Sequence, residues 1–432
     1  MSEPRFSFGD LRQLLQAPPD RGAWNTLCKM AQHWDPQDWV QRAGPYALQH
    51  LERWPDSLRT APLPWLESMR SGALPQGIEL LRVMIVYPSM ALEQLPQQLD
   101  LGSMTQMTLS QAESMDLGAL ATWPAMASLE QLSVQTRSHD EAMNTQLLTH
   151  LERLTPALHS LSLQLRKLSV AHARAIAQYA HTRQLRALGL NDNALDHTHA
   201  WALGPHLESL QKLDLGNNPL GTMGLVALVQ DRARSWSICH LDSAEMGPQA
   251  PGLLAEHLQS LQYVDLDFSD LNGAWEVLED HHTLPWQALS LRSARLHYDD
   301  LYALSRAQSL PPLRHLNLSL NNLSDRRWGA ALASAYITPQ LETLGLDHTY
   351  MDHQGLHQFC QRLGPNHLTR LSLRSAGLDD RCVEWLAQAP HLGGLQLLSL
   401  EGNTITGRGW RALADSPEMS PQVRERARRY LL

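Results

Sequence analysis

Cysteine is scarce in this chain, and the few cysteines stand far apart. Cys28, Cys239, Cys360 and Cys382 are its four cysteines, and no two of them have the Cys-x-x-Cys spacing of a zinc ribbon or a redox motif. This usage excludes the dense disulfide framework of small secreted domains. We therefore expect reduced thiols with a structural role and a cytoplasmic location.

Long apolar runs and excess positive charge are also missing. No stretch of about eighteen apolar residues occurs, which excludes a membrane-spanning helix. The first residues, MSEPRFSF, lack the apolar core of a secretory signal. Lys and Arg number 35 against 44 Asp and Glu, so the net charge of −9 would repel a phosphate backbone. We expect neither a membrane nor a nucleic acid as partner.

Motifs of catalysis and cofactor binding are absent. The sequence has no GxSxG, no P-loop, no GxGxxG after a strand and no HExxH. Histidine is plentiful at 21 residues, but the close pairs His197 with His199 and His281 with His282 have no cysteine partner and are interpreted as surface residues. The sequence predicts a protein that is not an enzyme and carries no metal or cofactor.

A repeated leucine pattern dominates what is present. Leu313 to Leu323 reads LRHLNLSLNNL, with leucine at places one, four, six and eleven and Asn321 at place nine. The pattern recurs about thirteen times at steps of 23 to 29 residues, a period typical of repeat architectures. Its first places are Leu81, Met104, Leu129, Leu158, Leu185, Leu210, Trp236, Leu261, Trp286, Leu313, Leu341, Leu368 and Leu395.

The alternation within each unit predicts a short strand, and the residues after place eleven have helical character. Place nine is Asn in the best units (Asn193, Asn218, Asn321 and Asn403), where a buried amide would bond the backbone of the loop. Parallel strands stack about 4.8 Å apart, whereas helices need about 10 Å. Strands inside and helices outside therefore predict a curved α/β solenoid with a concave parallel sheet and convex helices.

These repeats resemble the leucine-rich-repeat family, specifically its ribonuclease-inhibitor-like branch, which has a true helix in every unit. The resemblance implies a right-handed horseshoe that binds proteins through its concave face or its loops. The N-terminal segments LLQAPPDRGAW and ERWPD resemble the helical companion segment that precedes such repeats in some bacterial proteins.

Both ends of the chain differ from the repeats. Residues 1–78 hold five tryptophans at helical spacing and predict a small all-α cap whose indoles pack together, with Asp20 and Asp56 as helix caps. Residues 79–415 carry the repeats. Residues 416–432 predict a polar capping helix that starts at Ser420 and Pro421.

The side chains at places three, five and seven are predicted to project from the concave face. There the middle units are acidic and the later units basic, which favours a protein partner or, alternatively, only a solvated surface. A metal bound by the aspartates and His240, and acid–base chemistry by Asp265 with His240, are weaker alternatives. The partner is either a protein held on a scaffold or a basic enzyme that the repeats inhibit, and the protein is expected to be a monomer. The candidate partner-binding residues are Asp214, His240, Asp242, Tyr263, Asp265, Asp267, Phe268, Arg292, His315, Arg370 and Arg374.

Overall fold

The computed structural model describes residues 6–88, 104–115, 126, 128–137, 139–151, 157–230, 234–279 and 281–431. The chain divides into two compact units, residues 1–189 and residues 190–432. The first unit begins with helices and continues with the early repeats. The second unit consists of the later repeats and a C-terminal helix.

The first unit opens with a helical region built around buried indoles. Trp24, Trp39 and Trp65 are 0–1% exposed, so core packing of the tryptophans is confirmed. Two of these indoles also donate hydrogen bonds, Trp24 to the carbonyl of Thr60 at 2.8 Å and Trp39 to Glu79 at 2.7 Å. The helices of this region are α1 Phe8–Gln16, α2 Arg21–His33, α3 Pro36–Asp38 with a π-helical continuation Trp39–Ala43, α4 Gly44–Leu51 and α5 Leu63–Arg70.

One of the two predicted caps is correct. The side chain of Asp20 accepts the backbone N–H of Ala23 and caps α2. Asp56 instead lies inside the short 3-10 helix Asp56–Leu58 and makes no cap. Its carboxylate pairs with Arg82 at 3.2 Å and accepts the hydroxyl of Thr105 at 2.9 Å. The cap prediction at Asp56 was wrong because the carboxylate is used in contacts with residues distant in sequence.

Five parallel strands of the first unit follow one another in sequence order. They pair residue for residue, as where Met84 aligns with Met107 and Met107 with Leu132. The buried side chains alternate with less buried ones along each strand. The strands are β1 Val83–Val86, β2 Gln106–Ser110, β3 Gln131–Gln135, β4 Ser160–Gln164 and β5 Ala187–Gly189.

Eight parallel strands form the sheet of the second unit, also in sequence order. Each has a buried middle residue, so the flanking residues share the opposite side, which we call the open face. The strands are β6 Lys212–Asp214, β7 Ile238–His240, β8 Tyr263–Asp265, β9 Ala288–Ser290, β10 His315–Asn317, β11 Thr343–Gly345, β12 Arg370–Ser372 and β13 Leu397–Ser399. Within the described residues, all thirteen strands start two residues after a predicted first place, which confirms the leucine-rich-repeat fold.

Helices follow most strands and cover the side opposite the open face. In the first unit they are α6 Glu141–Leu151 and α7 Val170–Thr182. In the second unit they are α8 His197–Leu203, α9 Gly221–Val229, α10 Ala250–His257, α11 Tyr298–Arg306, α12 Trp328–Ala333, α13 His353–Arg362, α14 Asp380–Ala387, α15 Gly407–Ala414 and the C-terminal α16 Pro421–Arg429. Ser420 caps α16 as predicted, by accepting the N–H of Val423. Among the helices that the structure describes, none has the length and apolar character needed to cross a membrane.

The expectation of a true helix in every unit was wrong. Between β8 and β9 the described residues contain only the 3-10 helix Glu276–Leu278. Just before it, Gly273 has a φ of 74°, and its N–H donates to Asp300 of the next repeat at 2.7 Å. A backbone turned this way and bonded outward at Gly273 does not start a helix there.

Two features characterise the strand exits of the second unit, the first in the repeats whose place nine is Asn and the second in every repeat. The buried amide of Asn218 accepts the N–H groups of Asn193 and Leu195 and donates to the carbonyls of Leu190 and Leu215, which confirms the predicted role of place nine. Place eight adopts the left-handed conformation in the nine repeats that contain β5 to β13. Its residues there are Asp192, Asn217, Ser243, Phe268, Ser293, Leu320, His348, Ser375 and Gly402.

Candidate functional site

The predicted acidic residues lie side by side on the open face of the second unit. Strand register aligns Asp214 of β6 with His240 of β7 and Asp265 of β8. Asp242 and Asp267 follow two residues later in their own repeats. These five residues and Tyr263 are partly exposed, and we call them the acidic cluster.

His240 lies among the carboxylates of the acidic cluster. Its Nδ1 is 3.5 Å from Oδ2 of Asp265, and its ring centroid is 4.9 Å from that of Tyr263. The predicted Asp265–His240 pair therefore exists. It lies on an open strand face, where water is not excluded from the two side chains, so the geometry offers no enclosed site for acid–base chemistry.

Asp242 occupies space that a glycine leaves free. Gly216, at the equivalent place of the preceding repeat, has no Cβ, and a Cβ there would overlap the Asp242 carboxylate. Burial raises the pKa of Asp242, and the neighbouring charges of Asp265 and Asp214 raise it further. The carboxylate is thus held where its charged form is disfavoured.

Asp267 is bound more firmly by its neighbours. Its Oδ1 accepts the hydroxyl of Ser290 at 2.6 Å and the backbone N–H of Arg292 at 2.7 Å. Burial still raises the pKa of Asp267, although the hydrogen bond from Ser290 opposes the shift. Burial and the nearby carboxylates, Asp265 first, raise the pKa of Tyr263 to about 12. The cluster is therefore a site of concentrated negative potential that a cationic group would relieve.

The same three-residue connection recurs three repeats later. Oδ1 of Asp347 accepts the hydroxyl of Ser372 at 2.6 Å and the N–H of Arg374 at 2.8 Å. In both repeats the aspartate at place seven accepts two hydrogen bonds from the next repeat, one from the serine hydroxyl at place five and one from the backbone N–H of the arginine at place seven. These aspartates therefore join neighbouring repeats as well as facing solvent.

Phe268 and Arg292 meet at the edge of the acidic cluster. Phe268 is 49% exposed, and its backbone has a φ of 57°. Its N–H donates to the carbonyl of Arg292 at 2.7 Å, which fixes this conformation. The guanidinium carbon of Arg292 lies 5.7 Å from the centre of the Phe268 ring. An aromatic ring with an arginine over it is a common component of interface hot spots.

A groove of about 570 Å³ runs along the open face beside the acidic cluster. Of the predicted residues it contains Tyr263, Arg292, His315 and Arg374, whereas Arg370 and the aspartates of the cluster do not line it. The remaining lining residues are not among the candidate partner-binding residues, although most of them stand at places three, five and seven, which were predicted to project from this face. They are Ala288, Leu289, Ser290, Leu316, Asn317, Ser319, Thr343, Gly345, Asp347, His348 and Ser372.

The arginines around the groove differ in how they are held. Arg374 pairs with Glu401 at 3.1 Å, and Glu401 is bound in turn by Arg426 of α16 at 2.7 Å. Within the described part of the chain, the side chains of Arg292 and Arg370 make no hydrogen bond or ion pair. The guanidinium of Arg292 instead lies over the Phe268 ring, near enough to Asp267 for its charge to oppose the rise that burial causes in the pKa of that carboxyl.

The predicted histidine pairs have local roles. Nδ1 of His199 lies 2.7 Å from Asp196 at the start of α8, and Nε2 of His282 lies 2.5 Å from the side-chain oxygen of Gln259. Among the described residues, neither these histidines nor the acidic cluster brings three metal-ligand atoms within 4.8 Å of one another. His353, Asp379 and Cys382 do so, at the starts of two helices and away from the open face.

A groove in the helical region of the first unit bears on the enzyme alternative. It has a volume of about 570 Å³ and is lined by residues of α1 and α4 and of the segments that follow them, including Leu15, His50 and Trp54. The enzyme alternative requires a deep pocket between the N-terminal helices and the first repeats. This groove lies within the helices instead.

The open, polar strand face backed by helices is the architecture of a leucine-rich-repeat protein. A family profile described as Leucine Rich repeat matches residues 206–229 and 309–326. These segments contain Asn218 and Asn321, the place-nine amides of two of the most regular repeats. No curated protein matches the chain by sequence.

Several solved structures are similar to this chain. A chain of the yeast Rad7–Elc1 complex is 15% identical with a TM-score of 0.51, covering 90% of this chain and 95% of that chain. An internalin, InlF, of Listeria monocytogenes is 16% identical with a TM-score of 0.41, and the match covers 80% of this chain and 82% of that chain. The leucine-rich-repeat protein LegL7 of Legionella pneumophila is 14% identical with a TM-score of 0.43, and the match covers 69% of this chain and 93% of that chain. At this level of identity, the likeness concerns the fold alone.

Proposed function

We propose that this protein is a non-catalytic scaffold that binds a protein partner on the concave face of its repeats, in the cytoplasm and as a monomer. The observation that carries the proposal is the separation of charge on the open face. Aspartates concentrate on the repeats of β6 to β8, and Arg292, His315 and the groove follow on the next repeats. Phe268, an exposed aromatic side chain with the Arg292 guanidinium over its ring, lies where the acidic and basic parts meet and supports the assignment of an interface.

The two halves of the face select a partner with opposite charges in the matching order. A cationic side chain near Asp242 and Asp265 would relieve the repulsion that raises the pKa of Asp242. An acidic or polar segment would fit the groove, where the guanidinium of Arg292 and the hydroxyl of Thr343 supply donors. Such complementarity sets specificity and the rate of association more than total affinity.

Reversing charge on the face is expected to abolish partner recovery. We expect wild-type protein immobilised in the native lysate to capture a partner, and Arg292→Glu and Asp242→Lys to bind the purified partner at least about tenfold more weakly. The matched control is Arg295→Glu, three residues further along. Arg295 is exposed and pairs only with the surface residue Asp270, at 2.9 Å. Equal affinity of all four proteins would remove the concave-face assignment.

The acidic cluster favours a second candidate function, inhibition or regulation of a basic enzyme, as in the ribonuclease-inhibitor-like branch. Four neighbouring aspartates, of which Asp242 and Asp267 have pKa values raised by burial and by the nearby carboxylates, form a surface suited to a cationic active-site rim. The captured partner decides between the two functions. A basic enzyme whose activity falls when the protein binds, and recovers with Asp242→Lys, would establish inhibition.

The acidic cluster also predicts a pH-dependent stability effect. The pKa of Asp242 in the folded protein is above its ordinary value of 3.8, so the folded state resists ionisation of this carboxyl. The resulting destabilisation is present above the folded pKa and absent below about 3.8. We expect Asp242→Asn, which keeps the shape, to raise the melting temperature slightly at pH 7, and the gain to disappear as the pH falls below that value. Melting curves across this range test it. A gain that is unchanged at low pH would show that charge repulsion is not its cause.

A further inference from the structure

Three side chains with different ligand atoms meet where two neighbouring repeats enter their helices. His353 is the first residue of α13, Asp379 caps α14, and Cys382 lies in the first turn of α14. One nitrogen, one oxygen and one sulfur from these side chains lie within 4.8 Å of one another. The site lies outside the proposed partner-binding face.

Hydrogen bonds orient two of these side chains toward a common point. Nε2 of His353 is 2.9 Å from the carbonyl of Gly377, and a carbonyl only accepts, so Nε2 carries a proton. In the neutral ring, Nδ1 then presents a lone pair. Metal-binding histidines are commonly oriented in this way by a carbonyl that holds the other nitrogen.

The two carboxylate oxygens of Asp379 make different contacts. Oδ1 accepts the backbone N–H of Cys382 at 3.0 Å and caps the helix, whereas Oδ2 lies 4.0 Å from Nδ1 of His353. The carboxylate also accepts a hydrogen bond from the Cys382 thiol, which brings the sulfur to the same point. The helix cap accounts only for the bond from the backbone N–H. It does not account for an imidazole lone pair and a second carboxylate oxygen facing each other, an arrangement that a cation between them would stabilise.

Accessibility suits an ion that enters from solvent. The side chains of His353 and Asp379 are 39% and 50% exposed, and Cys382 lies fully buried beneath them. In a tetrahedral zinc site the ligand atoms are about 3.3–3.8 Å apart, as bond lengths of about 2.0–2.3 Å require. Closing the present spacing needs a movement of about 1 Å, within reach of two partly exposed side chains. Sulfur and imidazole nitrogen favour zinc over magnesium or calcium.

We propose that His353, Asp379 and Cys382 bind one Zn²⁺ ion, with water in the fourth position, and that the ion joins the repeats of β11 and β12. Cysteine binds zinc as the thiolate, so zinc has to displace the proton of Cys382. Binding therefore releases a proton and becomes tighter as the pH rises.

Metal-free protein titrated with Co²⁺ and with Zn²⁺ tests the site. We expect one ion per chain, a thiolate-to-cobalt charge-transfer band in the near ultraviolet, and a higher melting temperature with Zn²⁺. His353→Gln, a change at an exposed position, should weaken binding about tenfold or more and remove the melting shift. Cys382→Ala should abolish the charge-transfer band.

Two matched controls lie on α13 itself. His357→Gln, one turn beyond His353, and Cys360→Ala should bind Co²⁺ like the wild type, because neither residue belongs to the three-ligand group. The proposal is overturned if the wild type binds no ion at micromolar concentration. It is also overturned if Cys382→Ala keeps the full affinity and His357→Gln loses it, since two surface histidines would then hold the metal. His353→Gln does not remove a core side chain, so the result does not depend on Cys382→Ala folding.

Discussion

Replacing Leu316 with alanine is expected to lower the free energy of unfolding by about 2–5 kcal/mol, through the loss of apolar burial and the cavity left behind. Leu316 is the middle residue of β10 and is 1% exposed. It aligns with Leu289 on one side and Leu344 on the other, both buried. The cavity would thus weaken contacts with both neighbouring repeats, and neither repeat can bury its leucines alone.

Thr343→Ala is the matched control for this prediction. Thr343 starts the adjacent strand β11, projects into the groove, and is partly exposed. Removing its hydroxyl and methyl group should change stability by less than about 1 kcal/mol. Urea unfolding followed by circular dichroism measures both variants. Equal midpoints for the two proteins would contradict the assignment of inward and outward places.

The strand positions could be predicted from the sequence because burial leaves little choice at places four and six. A side chain packed between two repeats must be apolar, and the repeated spacing shows which residues carry that demand. Even the exceptions follow the rule, since Trp236 and Trp286 replace leucine at place one and are both 0% exposed. The acidic cluster was found for the same reason: the residues between the buried places have to share the other face.

What the sequence could not reveal depends on backbone geometry and on contacts between repeats. Asparagine adopts the left-handed conformation readily, so this conformation could be expected at Asn217. It could not be expected at Phe268 or Leu320, where backbone hydrogen bonds to the next repeat impose it. Ser319 stands at place seven and was predicted to project from the concave face. It is only 6% exposed, and its hydroxyl accepts the N–H of Asp347 in the next repeat.

Contacts between repeats also explain why the three-ligand group was not predicted. His353 is separated from Asp379 by 26 positions, and the repeats differ in length, so the loops between place eleven and the helix have no fixed register in the sequence. A signal did exist. Counted from the first places Leu341 and Leu368, Asp352 and Asp379 both fall at place twelve and both cap the helix that follows, so His353, directly after Asp352, lies near Asp379 when the repeats stack.

The buried amides at place nine stabilise the loops of two repeats at once. In Asn321, Oδ1 accepts the N–H groups of Ala294 and Leu296 at 3.1 Å each, and Nδ2 donates to the carbonyls of Leu291 and Leu318 at 2.7 and 3.0 Å. The side chain is 3% exposed, so water cannot replace it without opening the loop.

We therefore expect Asn321→Ala to lower the free energy of unfolding by at least about 3 kcal/mol, because two buried N–H donors lose their acceptor at about 1–3 kcal/mol each and a cavity forms as well. Asn322→Ala, at the exposed neighbouring position, should change it by less than about 1 kcal/mol. Hydrogen exchange adds a local measurement, since the amides of Ala294 and Leu296 should lose protection in Asn321→Ala. If those amides stay protected while global stability falls, the amide acts by filling space, and the hydrogen-bond ladder is not what joins the repeats.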